Sequence, residues 1–345
     1  MRIAVDAMGG DHAPRVVVEG AIRAAGDLTD AEIILVGVAP QVERLVRDAA
    51  GPARRVRVEH ADSVVSMADS PVEALRKKDN TSIGRCAELA RSGEADAILS
   101  AGNTGAAVAA AALAMGTLEG IRKPGIAAPF PTVKGTECIV IDVGANVKPK
   151  PEHLFDYGLM AAQYVTAIIG TPHPRIGLMN VGAEDAKGNE LVKRTHALFK
   201  ASPLNFVGNV EGRDIFQGEI DVVVCDGFVG NVLLKVAEGV VEAVTGMIRT
   251  AFRETFIYRL GAGLCKPALR RVYGKLSSSA YGGAQLLGID GICIISHGSS
   301  GAEAICNAIH VAVELSDKHV NDRIVQTIRE LNREAPKVDP QPATL

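Results

Sequence analysis

Short continuous apolar runs alternate with longer stretches of helical periodicity along most of the chain. Arg2-Ile3-Ala4-Val5-Asp6, Ile33-Ile34-Leu35-Val36-Gly37, Val56 to Glu59 and Ala95 to Leu99 are runs of the first kind. They recur in the second half at Cys138 to Asp142, Arg175 to Met179, Asp221 to Cys225 and Ile292 to Ser296. Helical patterns fall between them, from Val16 to Ala25, around Gln41 to Ala50, and from Ala106 to about Met115. Continuous apolar strands alternating with helices predict an α/β fold, a mostly parallel sheet with helices on both faces. Ligands bind such sheets beyond the carboxyl ends of the strands. The polar, glycine-bearing loops that follow the runs are therefore expected to converge on one crevice. No fixed-period repeat interrupts this reading.

Residues 233–276 depart from the alternation. Leu233, Val236, Ala237, Val240, Val241, Val244, Met247, Ile248, Ala251 and Phe252 recur at helical spacing and form one apolar face. Gly239 and Gly246 weaken an unbroken helix, and Gly261-Ala262-Gly263 reads as a turn before a second helix to about Lys275. The predicted result is a protruding helical hairpin. Its tip is basic and apolar: Arg249, Arg253, Arg259 and Lys266 lie among Phe252, Phe256, Ile257, Leu260 and Leu264, with Glu254 the only acid from Arg249 to Lys275. Such a tip asks for an anionic partner. Residues 1–333 are expected to form a single catalytic α/β unit of one or two lobes, and 334–345 a disordered tail.

Composition narrows the function. Hydrophobic residues make up 47% and charged residues 22% of 345, which is ordinary for a globular protein. A net charge of −3 and the absence of Trp argue against nucleic acid as partner. The six cysteines form no C-x-x-C pair, and most sit in apolar runs as small hydrophobes, so no metal site is expected from them. No signal-peptide pattern and no apolar run of about 20 residues is visible, which sets the expectation of a cytoplasmic protein.

The loops carry the candidate chemistry. Ser100, Gly102, Asn103, Thr104 and Gly105 follow a strand and open a helix, a natural anion site; Asn103 or Thr104 would serve equally as an ordinary N-cap. His297 and Ser299 in His297-Gly298-Ser299-Ser300-Gly301 raise the same pair of readings. That loop is no G-x-S-x-G elbow, and no nucleotide P-loop is present. Asp6, Asp11 and His12 fit part of a metal site or, more simply, a turn held by aspartate side chains. Lys187 is either a solvated lysine or a fixed cation for phosphate or an oxyanion. Asn231 is either a cap or a donor aimed at the crevice.

As a set, Val5-Asp6-Ala7-Met8-Gly9-Gly10-Asp11-His12-Ala13-Pro14, Ser100 to Gly105, Asp142-Val143-Gly144-Ala145-Asn146, Asn180 to Asn189 and Asp226-Gly227-Phe228-Val229-Gly230-Asn231 resemble the bacterial phosphate acyltransferase (PlsX) family. The resemblance runs from residue 1 to about 333. It implies transfer of a long-chain acyl group from acyl carrier protein to inorganic phosphate, giving acyl phosphate for phospholipid synthesis. It further implies a fold related to phosphotransacetylases and isopropylmalate-type dehydrogenases, a homodimer, and no metal or organic cofactor. The product would feed a membrane glycerol-3-phosphate acyltransferase, with the protein held peripherally at the inner face of the cell membrane. Lys187 and Asn231 match the family positions expected to be catalytic.

One stretch departs from the family pattern. Leu276-Ser277-Ser278-Ser279-Ala280-Tyr281-Gly282 stands where the family carries an acidic, aromatic loop. Three rival readings remain: a phosphotransacetylase acting on acyl-CoA, a metal- and NAD-dependent dehydrogenase, and a non-catalytic membrane scaffold.

Overall fold

A computed structural model describes residues 1–49, 55–77, 80–276 and 282–334. The divergent 277–281 stretch and the expected tail beyond Glu334 lie outside the described residues. The first half runs β1 (Arg2–Asp6), α1 (Arg15–Asp27), β2 (Glu32–Gly37), α2 (Ala39–Asp48), β3 (Val56–His60), α3 (Pro71–Lys77), α4 (Ser82–Arg91), β4 (Ala97–Ser100), α5 (Thr104–Met115). It continues with β5 (Gly125–Pro131), β6 (Glu137–Ile141), α6 (Pro151–Tyr164), β7 (Ile176–Met179), α7 (Glu190–Lys200), β8 (Phe206–Val210) and β9 (Val222–Val224). Last come α8 (Gly227–Ala251), α9 (Phe256–Leu276), β10 (Ala284–Leu287), β11 (Ile292–Ile295), α10 (Ala302–Asp317) and α11 (Val320–Glu334).

The strands form one sheet in the order β3-β2-β1-β4-β11-β10-β5-β6-β9-β7-β8. Side chains alternate between its faces with the period of an extended chain. Ile3, Val5, Ile139 and Ile141 enter one apolar layer, and Ala4, Cys138 and Val140 enter the other. Burial on both faces is why these strands read as unbroken apolar runs.

The sheet differs from the expected one in its middle. β3, β2, β1, β4 and β11 are mutually parallel, and so are β6, β9, β7 and β8. Between them, β10 and β5 pair antiparallel with each other and with their outer neighbours. Three antiparallel pairings in succession leave the two parallel blocks running in opposite directions. Their carboxyl ends therefore face opposite edges of the sheet, and the loops do not gather at one end. Only those that follow β4, β6, β9 and β11 meet over the β10–β5 seam.

α8 and α9 also correct the expectation. α8 is continuous through Gly239 and Gly246, and the turn lies between Phe252 and Thr255, not at Gly261–Gly263. The Oγ1 of Thr255 accepts from the Tyr258 N–H at 3.2 Å and starts α9 there; the later glycines continue the helix because nothing crowds them. The face 233–252 packs on the core through Leu233, Leu234 and Ala237, while Val236, Val240, Val244 and Met247 are exposed. At 1.5 Å per residue α8 reaches ~37 Å from its start. Since Gly283 returns to a cavity that α8 also lines, α9 must lead back.

Candidate active site

Two buried aspartates build the floor on which the loops stand. Asp142, just past β6, is fully buried. Its Oδ1 accepts from the N–H groups of Ile126, Gly144 and Ala145 at 3.1, 3.0 and 2.8 Å, and its Oδ2 from Asn146 at 2.7 Å. Burial pushes this carboxyl up, and these backbone donors pull it partly back. The first turn of α8 seats on the same structure. A Cβ on Gly227 would stand 2.8 Å from the Asn146 carbonyl oxygen, and one on Gly230 only 2.0 Å from that of Asp142. Glycines three apart share a helix face, so Asp142–Asn146 and Asp226–Asn231 interlock backbone to backbone. Asp226 is the helix cap, accepting from Phe228 and Val229 at 2.9 and 3.0 Å.

The opposite block repeats the device. Asp6 is buried, accepts from Ser100 Oγ at 2.8 Å and from Met8 N–H at 3.2 Å, and its carboxyl is pushed up by burial. Of the two readings offered for Asp6, the structure takes the turn. Most of the predicted anion loop serves the same packing. Ser100 is buried and accepts from the Gly102 N–H at 3.1 Å. Gly102 lies against Gly9, and Gly105 against the Pro71 ring. Asn103 caps α5 through Ala106 at 3.0 Å and ties down Ser66 and Asp69 with its amide. The side chains of Ser100 and Asn103 and the faces of Gly102 and Gly105 thus hold the loop together. Thr104 lines a cavity.

That cavity, of about 140 Å³, lies over the seam between the blocks. Ile126, Ala128, Val143, Leu234 and Ile295 give it apolar walls; Thr104, Asn231, Lys235, Glu238, His297 and Ser300 give it polar ones. Asn231, Leu234, Lys235 and Glu238 fall at i, i+3, i+4 and i+7, so a single face of α8 supplies one side. His297 closes the other. Its Nδ1 sits 2.7 Å from Ser299 Oγ and 3.2 Å from the Ser299 N–H, and its Nε2 sits 3.0 Å from Lys235 Nζ and 3.7 Å from Glu238 Oε2. Lys235 also donates to Glu238 at 2.9 Å.

This cluster is rich in donors. With the ring proton on Nδ1, that N–H donates to Ser299 Oγ and Nε2 accepts from Lys235; with it on Nε2, the N–H faces the Lys235 ammonium. An anion with several oxygens satisfies such a set better than one carboxylate does.

The structure brings Thr104, Asn231 and His297 together, with Ser299 behind the ring of His297. It does not bring in Lys187. Lys187 is exposed on the 180–189 loop, its backbone N–H donates to the Glu184 carbonyl at 3.0 Å, and it is absent from the cavity lining. Lys235 and Glu238 escaped the sequence reading, although their spacing from Asn231 was visible. Cys225 is no nucleophile: burial, then Asp142 and Asp226, push its thiol well up.

On the long helices, Phe256, Ile257, Leu260 and Leu264 are exposed, with Phe252 half-buried. Arg249, Arg253, Arg259 and Lys266 are exposed too, and among the described residues no carboxylate pairs with them. Among those residues no helix is long and apolar enough to cross a membrane.

Comparison with known proteins places this geometry. Residues 1–323 match the family model described as fatty acid synthesis protein. The chain is 46% identical over 338 residues to the phosphate acyltransferase of Desulfitobacterium hafniense, covering 98% of each. It is 48% identical over 313 residues to that of Heliobacterium modesticaldum, covering 90% of this chain and 93% of the relative. A phosphotransacetylase from Streptococcus pyogenes shares the fold, with a TM-score of 0.60 at 17% identity over 92% of this chain and 94% of that one. The chain belongs to the phosphate acyltransferase family of fatty acid synthesis proteins.

Proposed function

We propose that the protein transfers a long-chain acyl group from acyl carrier protein to inorganic phosphate. A phosphate oxygen adds to the thioester carbonyl carbon, the C–S bond breaks, and the carrier thiolate leaves and takes up a proton. Acyl phosphate and free carrier result. Phosphate is the nucleophile, so no serine or cysteine is required. The task of the protein is to hold a dianion against the carbonyl and to stabilise the developing oxyanion.

The observation that carries this reading is the donor cluster of Lys235 and His297 beside Asn231, set on one rigid seam. Lys235 neutralises the phosphate, His297 and Thr104 donate to it, and Asn231 orients the phosphate or the carbonyl. Lys235 thereby takes the task that the family resemblance gives to Lys187.

The exposed tip from Arg249 to Lys266 supports docking of an acidic carrier and reversible contact with anionic lipid at the inner face of the cell membrane. The exposed valines of α8 suit a homodimer. Acyl phosphate released there would reach a membrane glycerol-3-phosphate acyltransferase.

The test mixes the pure protein with palmitoyl carrier protein and phosphate and traps acyl phosphate with hydroxylamine. Phosphate-dependent hydroxamate is expected, and its absence overturns the reading. Faster turnover of palmitoyl-CoA than of the carrier thioester would favour a phosphotransacetylase instead.

A further inference from the structure

Away from the cavity, three donor atoms of different kinds meet where α1 ends against α10. Asp27 closes α1, while Cys306 and His310 stand at i and i+4 of α10 and so share one helix face. Cys306 Sγ lies 4.0 Å and His310 Nε2 3.6 Å from the same Asp27 oxygen, and all three donor atoms fall within 4.8 Å of one another. A tetrahedral ion with bonds of ~2.0–2.3 Å needs ligand separations of roughly 3.4–3.7 Å. The cluster is close to that before any adjustment.

Two features set it apart from a chance surface pair. His310 Nε2 is closed off from solvent and has no hydrogen-bond partner. A shielded ring nitrogen normally has one. Cys306 is only 9% exposed, whereas the Asp27 side chain is 65% exposed. Sulfur and nitrogen are thus sheltered, and the carboxylate stands at an open entrance. Burial, then the Asp27 carboxylate, pushes the Cys306 thiol up, opposed by Arg23, which Glu19 holds one turn earlier.

We propose that Asp27, Cys306 and His310 bind a divalent transition metal of the zinc class, with water as the fourth ligand. One thiolate, one imidazole and one carboxylate select zinc-like ions over magnesium or calcium. Loading displaces the Cys306 proton to solvent. The ion would tie the end of α1 to α10, the two helices that follow the loops joined by the Asp11 N–H and the Gly298 carbonyl at 2.8 Å. It would brace the elements behind His297 and take no part in the transfer.

The test titrates the full chain, freed of metal by chelator, with Co²⁺ and reads thiolate-to-cobalt charge-transfer absorption. Zn²⁺ and Mg²⁺ are then compared for their effect on the melting temperature. One equivalent of Co²⁺ should give the band, Zn²⁺ should bleach it and raise the melting temperature, and Mg²⁺ should do neither. Cys306→Ser should lose the band, and His310→Gln should weaken Co²⁺ binding at least tenfold. Cys265→Ser, at the exposed cysteine, should leave the band intact. Matching melting profiles in chelator establish that the variants fold. No band in the unsubstituted chain, or a band that survives Cys306→Ser, overturns the proposal.

Discussion

Gly230→Ala tests how tightly the cavity depends on the interlocked turns. A Cβ there would stand 2.0 Å from the Asp142 carbonyl oxygen and 2.9 Å from Cys225 Sγ. An ordinary carbon–oxygen contact needs about 3.2 Å, so α8 must retreat by roughly 1.2 Å. Asp142 cannot yield in its place, since four backbone N–H groups hold its carboxylate and it is fully buried. Overpacking of this kind costs about 1–3 kcal/mol, occasionally more. The retreat also carries Asn231 and Lys235 away from His297. A misplacement of about 1 Å lowers turnover roughly 100-fold.

Gly239→Ala is the control. Nothing lies within 4 Å of its Cβ, so it should be neutral or stabilise α8 by up to about 1 kcal/mol. Urea midpoints and hydroxamate formation, measured on both variants, separate the two effects. A Gly230→Ala protein with unchanged midpoint and turnover would refute the packing argument.

Lys235→Ala should lower turnover with phosphate by about 10²–10³-fold, the usual loss for one preorganised donor, whereas Lys187→Ala should act less; the reverse order would move the cation to the 180–189 loop. Asp221 is partly buried, which pushes its carboxyl up, but the hydrogen bonds from Arg175 at 2.7–3.0 Å bring it below its ordinary value. A carboxyl lowered by folding stabilises above its unfolded value of about 4 and loses that stability as pH falls through the folded value. Asp221→Asn should therefore flatten the acid limb of the urea-midpoint curve below about pH 4, and an unchanged limb would show that the pair contributes nothing. Neutralising Arg253 and Arg259 together should weaken binding to anionic liposomes by about 2 kcal/mol, roughly 30-fold, in a sedimentation assay; unchanged binding of both liposomes and carrier would remove the docking role of the tip.

The parallel blocks were legible because their strands are buried on both faces and leave unbroken apolar runs. The seam was not. β5 reads Gly-Ile-Ala-Ala-Pro-Phe-Pro and β10 is only four residues long, so neither shows a clear strand period. Missing that pair also hid the reversal between the blocks. The Ser100–Gly105 loop shows why sequence left two uses open there: glycine and small polar residues suit close backbone packing as well as phosphate binding. Asn103 shows this most plainly, with both ends of its amide engaged inside the fold. His297 and Lys235 are 62 positions apart, so their pairing belongs to the tertiary structure alone. Cys225 ends one of the apolar runs and is buried, as expected of most of the cysteines.

The most direct measurement of the central claim is hydroxylamine trapping with palmitoyl carrier protein, run with and without phosphate on the unsubstituted chain and on Asn231→Ala. The account predicts hydroxamate that requires phosphate and falls about 10²-fold in Asn231→Ala, with liposome binding unchanged. Hydroxamate formed equally without phosphate, or no loss on substitution of Asn231, would contradict it.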